Sequence, residues 1–596
     1  MREYSTPLRV SIPSSGNLTD DVVRNGTEYA DSVAFSRRTA AGWSDVRADE
    51  FLREVRAVAK GLIAAGVEVG DRVALISKTR YEWTLIDYAI WFAGAATVPI
   101  YETSSSEQVE WILGDSETRA VVAETPEHTS RIKEFRDRLT ELHHVWSIED
   151  NAIDVLKTLG EDITDEALEE RRTTAGPDAL ATLIYTSGTT GRPKGCMLTH
   201  GNFMFELTVA VDELEALFAI EGASTLLFLP LAHVFARIIQ VGCIKGRVKM
   251  GHSSDIKTLL PDFEAFKPTF ILAVPRVFEK VFNTASQRAA ADGKGKVFNR
   301  AADTAIAYSR GLETGKPGIA VRAQHAVFDR LVYAKLRAAL GGNCAYAVSG
   351  GAPLGDRLGH FYRGIGVNVL EGYGLTETTA SVTVNLPDGQ KVGSVGRPVQ
   401  GTTVRVAEDG ELLFRGGQVF AGYWHNDPAT AEAIDPDHWF HTGDVGEIDD
   451  EGFVRITGRK KEILVTAGGK NVAPAVLEDR LRANPLVDQC IVVGDGQPFI
   501  AALVTIDPET FPRWAEQHDK LGDITDLVDD PDLRAAIESA IEDANKAVSK
   551  AESIRKFTIL PVTWTEEGGQ LTPSLKLKRN VVMRECRDEV DALYAR

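Results

Sequence analysis

The segment YTSGTTGRPKG, Tyr185 to Gly195, packs three threonines, a serine, three glycines, an arginine and a lysine into eleven positions. Glycines let a backbone approach a polyanion, hydroxyls and amide N–H groups bind its oxygens, and Lys194 adds charge. That is the chemistry of a phosphate-binding loop, with Thr186, Ser187, Gly188, Thr189, Thr190 and Lys194 as its candidate contacts. It is not a Walker A loop, because Gly188 is followed five positions later by Pro193. Further along, EGYGLTET (371–378) offers Glu377, a hard oxygen ligand of the kind magnesium takes. On its own this glutamate reads equally as a solvated loop carboxylate. Asp444 in HTGD is a hydrogen-bond acceptor in what is otherwise an ordinary turn sequence. GRKKE (458–462) concentrates three cations in an acidic chain, a pattern that also suits a solvated face. Lys576 stands in a Lys/Leu alternation that could be a plain amphipathic strand. His438 and His441 lie three apart without a third ligand, so no metal site is expected there.

These groups need a frame, and the chain alternates helical and strand patterns across its first two-thirds. FLREVRAVAKGLIAAGV (51–67) and YEWTLIDYAIWF (81–92) have helical character, while RVALISK (72–78) and ATVPIYE (96–102) read as strands. The rhythm recurs at ALATLIYTS (179–187), FKPTFILAV (266–274) and NVLEGYG (368–374). Such alternation predicts an α/β fold of parallel sheets covered by helices. After Val392, short strands joined by acidic-glycine turns predict a β-rich subdomain over about 392–459. Past Lys461 the texture returns to mixed α/β, with a helix at 476–484 and strands at 489–495 and 499–507. The expected division is a domain over 1–459 and a smaller one over 460–596. The polar, Ala/Gly-rich stretch 286–322 is expected as surface helix and loop.

Composition removes other classes. The 596 residues carry 66 Lys+Arg against 86 Asp+Glu, a net charge of −20, which argues against a nucleic-acid surface. With 43% apolar and 26% charged residues the chain has ample material for a core. Five scattered cysteines, Cys196, Cys243, Cys344, Cys490 and Cys586, with no CxxC pair fit reduced thiols. No secretory signal is visible, and the longest apolar run, Ala89 to Ile100, is short of the ~18–20 residues that span a bilayer. A cytoplasmic protein is expected.

The loop at 185–195 resembles the phosphate-loop signature of the adenylate-forming superfamily, which includes acyl-CoA synthetases, peptide-synthetase adenylation domains and luciferase. Four further regions match in the superfamily's order. SGGAPL (349–354) resembles the adenine-side loop, with Gly350 and Gly351. EGYGLTET resembles the adenine and magnesium motif, with Glu371, Gly372, Tyr373, Gly374, Thr376 and Glu377. HTGD and GRKKEILVTAGGKNVAP (458–474) resemble the ribose motif and the hinge region, and LTPSLKLKR (571–579) the C-terminal lysine motif. The resemblance implies a mobile C-terminal domain and places Tyr373 against adenine, Asp444 on the ribose hydroxyls and Arg459 on ribose and phosphate. It makes Lys461 the hinge, Lys576 catalytic, and Glu377 with Thr186 the magnesium ligands. Leu575 stands where many members have glycine, a departure common in long-chain enzymes.

LPLAHVFAR (229–237) and VPRVFEK (274–280) resemble long-chain fatty acyl-CoA synthetases. This likeness implies that His233 lies near the acyl carboxylate and α-phosphate, and that Phe278 gates the acyl tunnel. The implied activity is an AMP-forming fatty acid–CoA ligase using ATP, Mg2+ and CoA. In the family the Ala467–Lys470 loop replaces Lys576 at the site for the second step. The alternative is a fatty acyl-AMP ligase that serves a carrier protein. Peripheral contact with the inner face of the membrane is compatible with a substrate that partitions into lipid; no nucleic acid is expected.

Overall fold

A computed structural model describes residues 1–39, 42–186, 192–255, 258–572 and 576–595. It has the expected α/β architecture. Arg72–Ile76, Ala96–Ile100 and Ala120–Ala123 are short apolar runs buried on both faces, and they pair in parallel. With Leu180–Thr186, Lys194–Thr199, His144–Ser147 and Gly422–Tyr423 they form a seven-stranded sheet. A nine-stranded sheet holds Ser224–Leu227, Lys249–His252, Phe270–Ala273, Tyr346–Ser349 and Asn368–Leu375 in parallel at its centre. Its antiparallel flank beyond Asn368–Leu375 is Ala380–Val384.

Between the sheets, the helix Tyr81–Phe92 buries every residue except Glu82. Its Asp87 is fully buried and is paired with the fully buried guanidinium of Arg237. Arg237 Nε donates to Asp87 Oδ2 at 3.1 Å, and Thr97 donates to Asp87 Oδ1 at 2.7 Å. Breaking such a pair strands a charge in the core, so it fixes the helix Val234–Gly246 firmly against the first sheet.

The β-rich unit is an antiparallel sheet of Thr403–Val406, Glu411–Arg415, Phe440–Ile448 and Val454–Arg459. It also recruits Glu3–Ser5, which pairs with Thr403–Val406 and which the local pattern did not announce. The stretch 286–322 is mostly helical, yet it is more than surface. The helix Gly295–Glu313 buries Phe298, Ala301 and Ala305 against the helix Asp356–Gly364. The approach is so close that a Cβ on Gly364 would lie 2.1 Å from the Ala305 carbonyl oxygen.

The C-terminal unit packs Val487–Val493, Ile500–Ile506 and Ile554–Leu560 into a three-stranded sheet. One face carries Pro474–Arg482 and Pro531–Asn545, the other Arg579–Glu585 and Arg587–Tyr594. Around Lys576, where the Lys/Leu alternation could also be read as a plain amphipathic strand, the described residues on either side pair with each other. Thr572 N–H donates to the Lys576 carbonyl at 2.8 Å, Leu571 bridges Leu577, and a helix starts at Arg579. Contacts between this unit and the rest are largely polar: Arg276 reaches Asp488 at 2.7 Å, Lys280 reaches Glu509 at 3.2 Å, and Gln287 donates to Thr510 at 2.8 Å. Among the described residues no helix is long and apolar enough to cross a membrane.

Candidate active site

Four groups of residues, far apart in sequence, line one cleft of about 2950 Å³. The first is the hairpin that carries the glycine-rich loop. Its strands set Thr186 opposite Lys194 in register. Tyr185 anchors one side by donating to Asp115 at 2.6 Å, and Trp111 donates to the Pro193 carbonyl at 3.0 Å on the other. The Lys194 ammonium lies 5.0 Å from the centre of the Tyr423 ring. Tyr423 in turn donates its hydroxyl to Glu377 Oε1 at 2.8 Å. Ser187, Gly188, Thr189 and Thr190 lie outside the described residues.

The second group is the end of the strand Asn368–Leu375. A Cβ on Gly374 would lie 1.4 Å from the Ala380 carbonyl oxygen, so only glycine allows the chain to fold back this tightly. The reversal is the short turn Thr376–Thr378, followed by Thr379 and Ala380 with φ of 52° and 89°. Such strained residues persist only where neighbours over-determine them. Here Thr378 accepts from Leu375 N–H at 2.9 Å and Thr379 donates to the Gln418 carbonyl at 2.7 Å. The result holds Glu377 toward the hairpin, with Thr376, Gly372 and Gly374 on the cleft lining.

Cys196 sits between these two groups. Burial, reinforced by Glu377, pushes its thiol well above the ordinary range, so it stays protonated and is no nucleophile. Thr186 Oγ1 lies 3.8 Å from its sulfur. Glu377 and Thr186 therefore converge as two hard oxygen donors beside a phosphate loop. This donor set fits magnesium, which takes one or two protein oxygens and completes its shell with phosphate and water.

The third group pairs Asp444 and Arg459, opposite each other on adjacent strands. Asp444 is buried; its Oδ1 lies 3.1 Å from Arg459 Nε, and its Oδ2 accepts from the Tyr373 hydroxyl at 2.5 Å. The Tyr373 ring lies 5.9 Å from that of Phe414. The SGGAPL loop closes against this group because Leu354 N–H donates to Glu371 Oε1 at 3.0 Å. Burial pushes the Glu371 carboxyl up to about 7. Gly350 is pressed against Phe235, 3.1 Å from where a Cβ would stand.

The fourth group brings in the C-terminal unit. Lys576 enters the cleft beside Gly351, whose φ is +82° and whose Cβ position lies 3.8 Å from the Lys576 ammonium. Enclosure in the cleft, aided by Arg459 and opposed by Asp444, lowers Lys576 to about 8, although the residue itself is exposed. His233 caps the helix Val234–Gly246, its Nδ1 accepting from Phe235 N–H at 3.1 Å. That bond assigns the proton of the neutral ring to Nε2. Burial first, and Lys576 second, depress His233 to about 3, so at neutral pH it is a neutral donor at a helix N-terminus, where anions are favoured.

Lys461 is exposed on the cleft lining, one residue past Lys460, which is tied to Asp409 at 2.5 Å and Glu411 at 3.0 Å. Ala467–Lys470 forms a turn within the C-terminal unit, with Lys470 3.4 Å from Glu552 and Ala467 N–H bonded to the Gln497 carbonyl at 2.9 Å. Phe278 packs in the core, its ring 5.2 Å from that of Tyr362, and does not line the cleft. His441 lies 3.5 Å from Glu411 and 3.6 Å from Asp435.

From the cleft an apolar arm runs between the helices His200–Glu213 and Val234–Gly246, floored by Ala380–Val384. Leu207, Leu214, Phe218, Ile238 and Gly242 line it. The motifs did not point to Tyr423, Asp115 or Glu206, which also face the cleft or its arm. Tyr423 reaches Glu377 only because Gly422–Tyr423 pairs with Cys196–Met197, a long-range register with no local signal.

A two-unit α/β molecule with a phosphate loop, a buried aspartate–arginine pair and a lysine supplied by the smaller unit is of the class of AMP-binding enzymes. The chain belongs to that family: the family model described as AMP-binding enzyme matches residues 22–424, and that of the AMP-binding enzyme C-terminal domain matches 461–596. It is 52% identical, over all of both chains, to the long-chain-fatty-acid–CoA ligase FadD15 of Mycobacterium bovis. It is 30% identical to the long-chain-fatty-acid–CoA ligase ACSBG2 of Xenopus laevis over 95% of this chain and 82% of that one. Its fold is that of the A-PCP didomain of carboxylic acid reductase from Segniliparus rugosus, solved with AMP, at a TM-score of 0.75 and 23% identity over 97% of this chain and 82% of that one.

Proposed function

We infer that the protein is an ATP-dependent long-chain fatty acid–CoA ligase. The observation that carries this reading is the meeting of Lys576 with His233 and the Asp444–Arg459 pair at the mouth of an apolar arm. The arm suits an alkyl chain, the cleft suits a nucleotide, and the cations lie between them.

In the first step a carboxylate oxygen attacks the α-phosphorus of ATP, the bond to the β-phosphate breaks, and acyl-AMP and pyrophosphate result. Two anions must meet, so the protein's contribution is positioning and charge. Lys576 and Lys194 supply ammonium groups, and His233 Nε2–H donates to an oxygen at the junction. Asp444 and Arg459 receive the ribose, with Tyr373 exchanging its bond to Asp444 for packing against the adenine. Glu377 and Thr186 would hold magnesium, which neutralises phosphate charge when bound.

In the second step the CoA thiol gives up its proton and attacks the activated carbonyl, the bond to AMP breaks, and the thioester forms. The Lys576 side chain occupies the space a thiol needs. The smaller unit turns about Lys461, withdrawing Lys576 and bringing in the Ala467–Lys470 turn. Its polar contacts with the larger unit suit such exchange, since interfaces of that kind permit relative motion.

A product assay tests the reading: Mg-ATP, CoA and a ladder of fatty acids from C6 to C20, following AMP, pyrophosphate and acyl-CoA. Acyl-CoA that requires CoA and peaks at long chains is expected. Acyl-AMP without thioester would overturn CoA as acceptor in favour of a carrier protein, and absence of pyrophosphate with every acid would overturn the ligase reading.

A further inference from the structure

Among the described residues along the acyl arm, Glu206 and Ser381 form a polar pair within a largely apolar lining. Glu206, on the helix His200–Glu213, lines the arm and is 1% exposed. Its Oε1 accepts the hydroxyl of Ser381, another lining residue. Its Oε2 is buried and has no hydrogen-bond partner. Among the described residues no salt bridge reaches it. Burial first, opposed by hydrogen bonding from Ser381 and reinforced by the neighbouring acid Glu213, raises the Glu206 carboxyl to about 8.

At neutral pH the side chain is therefore a carboxylic acid, with one O–H to give and no acceptor to take it. Buried polar groups are normally satisfied, and an orphan calls for an explanation. A plain alkyl chain passing this point leaves the donor unmatched, whereas a chain bearing a hydroxyl matches it by accepting from Glu206.

We propose that Glu206 and Ser381 form a polar station in the acyl arm that selects long-chain fatty acids hydroxylated in the half of the chain nearer the carboxyl. The inference rests on the reading of the arm as the acyl site. The position follows from the fold. Ser381 pairs with Gly374, which lines the nucleotide cleft, so the station stands near the mouth. Leu214, which also lines the arm, is eight residues beyond Glu206, about 12 Å along a helix. A site built around a hydrogen bond to a substrate hydroxyl discriminates strongly against the analogue that lacks it.

The test measures kcat/KM of the full-length enzyme, with Mg-ATP and CoA, for hexadecanoic acid and its 2-, 3- and 16-hydroxy derivatives. One of the proximal isomers is expected to exceed both the parent acid and the 16-hydroxy isomer by roughly ten-fold. Glu206→Leu should lower the ratio of that isomer to the parent by a similar factor, and Glu206→Gln, whose amide still donates, should keep it. A parent acid that outperforms both proximal isomers overturns the proposal, as does a ratio that Glu206→Leu leaves unmoved. Should Glu206→Leu fail to fold, the wild-type ladder and Ser381→Ala decide the matter. Turnover of the parent without any hydroxyl preference sinks the station alone, whereas no adenylate from any acid sinks the ligase reading beneath it.

Discussion

At Lys576 the two half-reactions make opposite demands, since the first needs a cation where the second needs room. Lys576→Ala is expected to slow acyl-AMP formation by roughly 10²–10³-fold while leaving thioester formation from supplied acyl-AMP within a few-fold of wild type. Equal loss in both assays would remove the division of labour. The lysine also sets a pH limit. It works as the ammonium, and in the empty cleft it gives up its proton near pH 8, so kcat/KM for adenylation should fall as pH rises through about 8. Bound ATP, a polyanion, favours the charged form, so the corresponding fall in kcat should lie higher. His233, neutral from about pH 3 upward, adds no transition between pH 5 and 8. A kcat/KM flat to pH 9.5 would mean that the Lys576 charge is not used. At this scale the sequence exposed residue types but not partners. YTSGTTGRPKG announces anion chemistry by its composition, whereas the Tyr373–Asp444 and Tyr423–Glu377 bonds join residues whose contact depends on sheet register.

Two helices and one turn decide what the enzyme accepts and how it moves. Gly242 lines the acyl arm, and a Cβ there would already come within 3.3 Å of Leu207 and 3.5 Å of Phe218. Gly242→Leu should therefore fill the inner arm and move the preferred acid to shorter chains by several carbons, read from the C6 to C20 ladder. An unchanged preference would place the chain elsewhere. Lys461→Pro, at the residue after the tethered Lys460, is expected to retain adenylation and lose thioester formation; full turnover would show that Lys461 is not the pivot. Most elements were legible because their patterns are local. RVALISK and ATVPIYE are continuous apolar strands, and 476–484 has helical spacing. Around Lys576 the Lys/Leu alternation left a plain strand open as an alternative, and the local pattern gave no sign of the Thr572–Lys576 bonds. The buried face of Gly295–Glu313 was hidden in a polar, alanine-rich stretch whose small residues allow close helix packing.

Across the whole molecule, Glu206, Glu213 and Glu371 hold protons that the unfolded chain would release at an ordinary carboxyl pKa. A carboxyl raised on folding costs stability progressively as pH rises from its unfolded value to its folded one. For Glu206 that window runs from about 4.5 to about 8. Glu206→Gln removes the titration, so the melting temperature of the variant relative to wild type should climb between pH 5 and 8 and level off above. A constant difference would mean that Glu206 is ionised in the folded protein. The arm has a further consequence for how the molecule cycles. Leu214 and Phe218, both buried, line it, and the arm is continuous with the cleft that Lys576 of the C-terminal unit enters. On the reading of this arm as the acyl site, a fatty acid enters from the cleft methyl-first and the finished thioester leaves head-first by the same side. Every methylene that tightens the grip on substrate also lengthens the stay of product. On that reading, release of acyl-CoA is expected to slow as the chain lengthens, so that added lipid vesicles able to receive the emerging tail should raise turnover of the longest acids more than that of the shortest.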